Sequence, residues 1–223
     1  MEKLPDVRKS KTGIMLIITL TALAISAYLL VISPADDNLH ISFLDVGQGE
    51  AILIQRGNSQ VLIDGGPSPG TLNLRLGEKM AFWDRTIELV ILTHPSSDHI
   101  TGLVDVMDKY RVERVACPAM QFDGSQVYDQ WIRILDDKKC LITLARRGQI
   151  IYIGEDVFLE VLNPGEALLN GTSSDIDNNG LVLRLSMGDI SFLFTADMAG
   201  NVQREHRKGN RCAAQHRCQL SAQ

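Results

Sequence analysis

Within "LVILTHPSSDHITGL", residues 89–103, His94, Asp98 and His99 fall inside six positions. An apolar, β-branched run precedes them, and Ile100, Leu103, Val104 and Met107 follow at helical spacing. Imidazoles and a carboxylate in the loop after a strand suit a zinc, manganese or iron ion. That loop lies where α/β proteins usually bind ligands, at the carboxyl end of the sheet. A plainer account also exists. Asp98 as the N-cap of the coming helix, with Ser96 and Ser97 as loop residues, explains half the stretch without chemistry. It leaves over two of the chain's five histidines. Asp64 in "VLIDGG" and Asp197 in "FLFTADM" end apolar strands too. Singly, each reads as a turn residue. Together with the histidines they make three strands that end in acids or imidazoles, as if all opened on one edge.

The elements that must position these groups can be read in order. "HISFLDVGQGEAILIQRGNSQVLIDGG" gives three short strands (His40–Val46, Ala51–Gln55 and Gln60–Ile63) punctuated by glycines. Leu72, Leu76, Met80 and Trp83 mark a helix, and residues 87–93 a buried strand. Residues 98–110 form the helix after the candidate loop. "VERVACP" is a strand, and "SQVYDQWIRILDDKK" a helix with Val127, Trp131 and Leu135 on one stripe. "CLITLA", "QIIYIG" and "VFLEVLNP" are strands, and residues 180–198 a hairpin turning at Met187–Asp189. Strands, then alternating strands and helices, then strands again predict an α/β (α+β) domain of sheets covered by helices.

Residues 36–202 carry 24 acidic and 13 basic side chains, about −11 in a chain whose formal net charge is −5. Such a domain is a poor electrostatic match for long duplex nucleic acid, although a bound cation recruits phosphate locally. Cys117 and Cys140 sit among apolar residues and are expected to be buried, unpaired thiols.

The segments "LDVGQGEAILI", "VLIDGG", "LVILTHPSSDHITGL", "NNGLVLRL" and "FLFTADM" occur in an order and spacing that resembles the metallo-β-lactamase superfamily. More narrowly, residues 40–202 resemble the extracellular C-terminal domain of the ComEC family of DNA-uptake competence proteins, more closely than the lactam hydrolases. The resemblance implies an αββα sandwich with a metal site at one edge. It implies His94, Asp98, His99 and Asp197 as ligands, and Asp64 as an acid that supports the site by hydrogen bonding. Ser96 stands where the superfamily's His-x-His-x-Asp-His loop has its second histidine. "DIDNNGLVLRL" has acids and asparagines (Asp175, Asp177, Asn178, Asn179) but lacks the histidine the pattern puts there. The implied site therefore holds one divalent metal, zinc or manganese, on Asp98, His99 and Asp197 with His94 close by. Asp98 or His94 would accept a proton from the attacking water, and the substrate would be a phosphodiester, DNA by the ComEC resemblance. The departures also admit a non-catalytic module that binds nucleic acid or a partner through a degraded site.

At the N-terminus, Thr12–Ala35 carries no charge, and Ile14–Ile32 is long enough to span a bilayer. Lys3, Arg8, Lys9 and Lys11 precede this run and Asp36 and Asp37 follow it. The positive side stays in the cytoplasm, so the domain is expected outside, as a single-pass protein of the cell membrane. A cleaved signal peptide is the rival reading. The expected organisation is a basic segment (1–13), a transmembrane helix (14–33), a linker (34–39), the domain (40–202) and an atypical basic tail (203–223). The tail has five basic residues to one acid, and its composition suggests a domain whose C-terminal part is missing, or a non-functional fragment. A multi-span channel protein is the partner the resemblance implies.

Overall fold

Two kinds of strand build this chain, and they differ in how many faces they bury. In the computed structural model, which describes residues 7–31, 37–120, 122, 125–172 and 174–198, β2 (Ile52–Arg56), β3 (Ser59–Ile63) and β4 (Thr86–Ile91) each carry three consecutive apolar residues that are all buried. Strands of that kind are covered on both sides. With β1 (His40–Phe43), β5 (Arg111–Cys117) and β6 (Leu141–Leu144) they form a six-stranded sheet in sequence order. Its first three strands pair antiparallel, and β3 through β6 run parallel. A second, antiparallel sheet has the order β10-β9-β8-β7, from β7 (Ile150–Tyr152), β8 (Val157–Asn163), β9 (Val182–Met187) and β10 (Ile190–Phe194).

Alternation along the strands sorts the core into two layers. Ile52, Ile54, Ile63 and Ile91 of the first sheet meet Val157, Leu159, Val161, Leu183 and Leu185 of the second. On the other face of the first sheet, Leu53, Leu62, Val90 and Leu92 pack against three helices. These are α2 (Pro69–Lys79), α3 (Ser97–Lys109) and α4 (Gln126–Lys138). Trp131 and Leu135 of α4 are buried there as the stripe predicts. The described residues thus make three layers, helix–sheet–sheet. The expected αββα sandwich needs a fourth, and no described helix covers the outer face of the second sheet, where Tyr152 is 65% exposed. Helix α5 (Asp175–Asn178) is a single turn leading into β9.

Two expectations are corrected. Trp83 is not on the α2 stripe, because α2 ends at Lys79 and a turn closes from Asp84 N–H to the Ala81 carbonyl. The Asp84 carboxylate accepts the Thr86 N–H and the Gln60 amide, steering the chain into β4 and leaving Trp83 exposed against Phe82. Asp98 is not the N-cap of α3. Ser96 holds that position, without a side-chain cap bond, and Asp98 lies in the first turn. Cys117 and Cys140 are free thiols, as expected, but each is half-buried rather than buried.

Residues 1–37 and 38–223 separate into two units. The first contains α1 (Val7–Val31), whose described apolar side chains, Leu16 and Leu23 among them, are exposed. Among the described residues no helix is long and apolar enough to cross a membrane. The end of the expected span beyond residue 31, the first half of the linker (34–36) and the basic tail 203–223 lie outside the described residues.

Candidate metal centre

The candidate groups gather at one end of the two sheets. Asp64 follows β3, His94 lies in the loop after β4, His99 is in the first turn of α3, and Asp197 follows β10. Two backbone approaches hold these segments together. A Cβ on Gly102 would stand 2.0 Å from the Gly65 carbonyl oxygen, so α3 can lie directly on the "DGG" turn only because both residues are glycine. The Gly65 N–H then donates to the His99 carbonyl at 2.8 Å, and the Gly102 N–H to Gly66 at 3.0 Å. Gly49 comes equally close to the Asp98 carbonyl. Asp64 and Ala196 have positive φ, 57° and 45°. Left-handed backbone at two non-glycine residues costs on the order of 1–3 kcal/mol each and concentrates where geometry serves function.

The hydrogen bonds fix what each histidine offers. The Asp64 carboxylate is fully buried and accepts from the Thr93 N–H (2.8 Å), the Thr93 hydroxyl (2.6 Å) and His99 Nδ1 (2.8 Å). His99 therefore carries hydrogen on Nδ1 and turns Nε2 outward. The Thr93 hydroxyl has one hydrogen, spent on Asp64, so at 3.0 Å from His94 Nδ1 it accepts. His94 is then also protonated at Nδ1, and its Nε2 is a bare lone pair. That atom is buried and has no hydrogen-bond partner. A buried polar atom left unmatched is costly, and here it faces His99 Nε2 and Asp197. Candidate ligand atoms of His94, His99 and Asp197 all lie within 4.8 Å of one another, with His99 Nε2 3.4 Å and His94 Nε2 3.9 Å from Asp197 Oδ2. Two imidazole nitrogens and a carboxylate aimed at one point are a donor set for zinc and similar ions, and carboxylate-anchored histidines are typical of such sites. The residues fit a divalent metal.

Asp98 stands beside this trio. Its Oδ2 is 4.0 Å from His99 Nε2 and its side chain is 44% exposed. Ser96 caps α3, its carbonyl accepting the His99 and Ile100 N–H groups. Two residues emerge that the sequence did not flag, and a third, Asp177, gains a place the sequence did not give it. Thr93 relays Asp64 to His94. Glu50, in the turn before β2, places its carboxylate within 4.8 Å of Asp64 and His99. Asp177, in α5, faces His94 Nε2 at 3.8 Å. The lone acid of "GQGEA", between two apolar strands, was the signal for Glu50.

Electrostatics separates the two imidazoles. His94 is held below its ordinary value by burial and by the neighbouring His99, against the pull of the nearby acids. For His99 burial acts downward as well, but the Asp64 hydrogen bond and the charges of Asp64, Asp197 and Asp98 outweigh it and push the group up to about 9. Burial and the Asp64 charge raise Glu50.

The chain belongs to the metallo-β-lactamase superfamily, whose family model matches residues 44–209. At that level it falls among metal-dependent hydrolases, and the superfamily generally binds divalent metals such as zinc. Among curated relatives it is similar to ComE operon protein 3 of Bacillus subtilis (strain 168), with 26% identity over 187 residues. The match covers 74% of this chain and 23% of that protein, so the chain spans about a quarter of the relative's length. Solved structures similar to it include a metallo-β-lactamase with a HARLDQ motif from Cronobacter sakazakii (14% identity, TM-score 0.49, 75% of this chain and 63% of that one). Another is the metallo-β-lactamase fold protein YhfI from Bacillus subtilis (14%, TM-score 0.47, 73% and 60%).

Proposed function

We propose that this chain is a membrane-anchored, metal-dependent phosphodiesterase of ComEC type, acting on DNA at the outer face of the cell membrane during uptake. The observation that carries the reading is the convergence of the unpartnered His94 Nε2 with His99 Nε2 and Asp197. The similarity to ComE operon protein 3 supports the choice of substrate. The uncharged run from Thr12 to Ala35, with basic residues before it, supports the anchor and its orientation.

His94, His99 and Asp197 would hold one zinc or manganese ion, with Asp98 alongside. A bound metal lowers the pKa of its water toward neutrality and polarises the scissile group. The chain supplies the rest. Asp64 and Thr93 lock both imidazoles with Nε2 presented. The lowered pKa of His94 keeps that nitrogen free of a proton near neutral pH. Asp98, partly exposed on the open side of His99, is placed to accept a proton from water.

The test uses the full chain in detergent, with end-labelled single- and double-stranded DNA and added Mn²⁺ or Zn²⁺. Cleavage is expected in the wild type, and loss of it with chelator, with His99→Ala and with Asp197→Ala. Metal-loaded protein that leaves both DNAs intact, or cleavage that survives His99→Ala, would overturn the reading.

A further inference from the structure

The superfamily pattern puts an imidazole in the segment now seen as α5 and its flanks, where this chain reads "SDIDNNG". The residues there are not interchangeable, and most are committed to the loop itself. The Asp175 carboxylate accepts the Gly171 N–H (2.9 Å) and the Thr172 N–H (2.7 Å). Asn178 reaches the Thr172 hydroxyl at 3.0 Å. Asn179 clasps Leu169 from both ends of its amide, accepting its N–H at 2.7 Å and donating to its carbonyl at 2.8 Å. Ser174 caps α5 through the Asp177 N–H. Asp177 is the one among these five whose side chain comes within 4 Å of a candidate histidine.

The segment is also fixed in place. The Leu181 N–H donates to the Thr93 carbonyl at 2.9 Å, and the buried Asn163 amide holds the Asn178 and Gly180 carbonyls at 3.0 and 2.8 Å. A Cβ on Gly180 would touch the His94 Cβ at 3.7 Å. The turn bearing Asp177 is therefore pinned to the strand end that bears His94. Asp177 Oδ1 stands 3.8 Å from His94 Nε2, too far for a hydrogen bond, and His94 Nε2 is fully buried and unpartnered. Two ligand atoms bound tetrahedrally to one zinc at about 2.0–2.2 Å lie about 3.3–3.5 Å apart. The observed 3.8 Å is a few tenths of an ångström wider than that, a gap that a small side-chain shift onto a shared cation would close.

We propose that Asp177 supplies a carboxylate ligand on the His94 side of the centre, taking the place of the absent imidazole. The exchange makes this side of the site harder and more anionic, which favours manganese or another oxygen-preferring ion over zinc relative to a histidine-complete centre. The inference rests on the metal-centre reading above, and the experiment separates the two.

Dissociation constants for Mn²⁺ and Zn²⁺ are measured on the full chain by competition with a chelating dye, alongside Co²⁺ titrations read by visible absorption. Wild type, Asp177→Asn, Asp177→His and His99→Ala are compared, with the melting temperature of each metal-free protein as the folding control. Asp177→Asn is expected to bind Mn²⁺ at least tenfold more weakly and to alter the Co²⁺ spectrum, at unchanged metal-free melting temperature. Asp177→His should restore Zn²⁺ binding and lower the preference for Mn²⁺. Should Asp177→Asn fold less well, the Asp177→His comparison decides. Metal binding by the wild type that is lost in His99→Ala but unchanged in both Asp177 variants sinks this inference and leaves the metal-centre reading standing. A wild type that binds none of the three metals sinks both.

Discussion

At the scale of single residues, the centre depends on one hydroxyl. The Thr93 hydroxyl gives its hydrogen to Asp64 and accepts from His94 Nδ1, so it transmits the Asp64 charge to the histidine that Asp64 does not touch. Thr93→Val keeps the shape and deletes this link. The buried Nδ1–H and one carboxylate oxygen each lose a partner, at a cost of about 1–3 kcal/mol. Metal affinity should drop about 10–100-fold, as when other outer partners of metal ligands are removed. Thr93→Ser should retain both. Chemical denaturation and dye competition on the two variants check this. If valine binds metal as the wild type does, the relay has no role. The sequence could not reveal it, because a threonine ending "LVILT" looks like any β-branched strand residue. His94, Asp64 and Asp197 were legible because each is polar at the end of an apolar run, and His99 because it is the second imidazole of the same short loop. Asp177 was not, since an acid- and asparagine-rich turn gives no register from which to tell which side chain faces inward.

The two imidazoles also set a pH dependence for the metal-free protein. His99 has a folded-state pKa of about 9, above its ordinary 6.5. Its contribution is fully present below pH 6.5 and is lost as pH rises through 9. His94 is shifted down, so its neutral burial costs stability as pH falls below 6.5. Of these two imidazoles, His99 is the one whose charge changes between 6.5 and 9. The melting temperature of the metal-free chain should fall across that window, and His99→Gln should flatten the slope. A flat wild-type profile there would mean that Asp64 does not hold a proton on His99.

At the scale of elements, the site depends on how near α3 comes to the turn after β3. The contact is backbone on backbone, Gly102 against Gly65, and it carries His99 within 2.8 Å of Asp64. Gly102→Ala suits a helix by propensity, by up to about 1 kcal/mol. Its methyl group would nonetheless stand 2.0 Å from a carbonyl oxygen. Overpacking of this kind costs about 1–3 kcal/mol, so the net effect should be destabilising, and displacement of His99 should weaken metal binding as well. Equal stability and affinity in Gly102→Ala would show that α3 can retreat freely. Strand and helix order was readable from periodicity because β2, β3 and β4 bury both faces and α3 and α4 bury one. Where α2 stops was not. Leu72, Leu76, Met80 and Trp83 share a helical spacing, but the hydrogen bonds of Asp84 end the pattern before Trp83.

At the scale of the molecule, charge and site make opposing demands on the proposed DNA substrate. The block 36–202 is about −11, so the polyanion is repelled over most of the surface, and few lysines or arginines are present to release counterions. A protein that grips duplex DNA through six to ten phosphates loses about 10³–10⁵ in affinity between 50 and 200 mM salt. This chain should behave differently. If the metal supplies the main phosphate contact, binding should be weak, should require Mn²⁺ or Zn²⁺, and should change little over that salt range because the cation's field is local. On the proposed membrane-anchored reading, DNA already held at the same surface would meet the site at raised effective concentration, so weak capture would suffice. Fluorescence anisotropy of labelled single strands, titrated with cleavage-impaired Asp98→Asn at several salt concentrations with and without chelator, measures the slope. A shallow slope that vanishes with the metal fits a cation-centred contact. A steep slope that persists in chelator would place DNA on a basic surface instead, and the basic tail 203–223, with five positive residues to one acid, would be the first segment to delete.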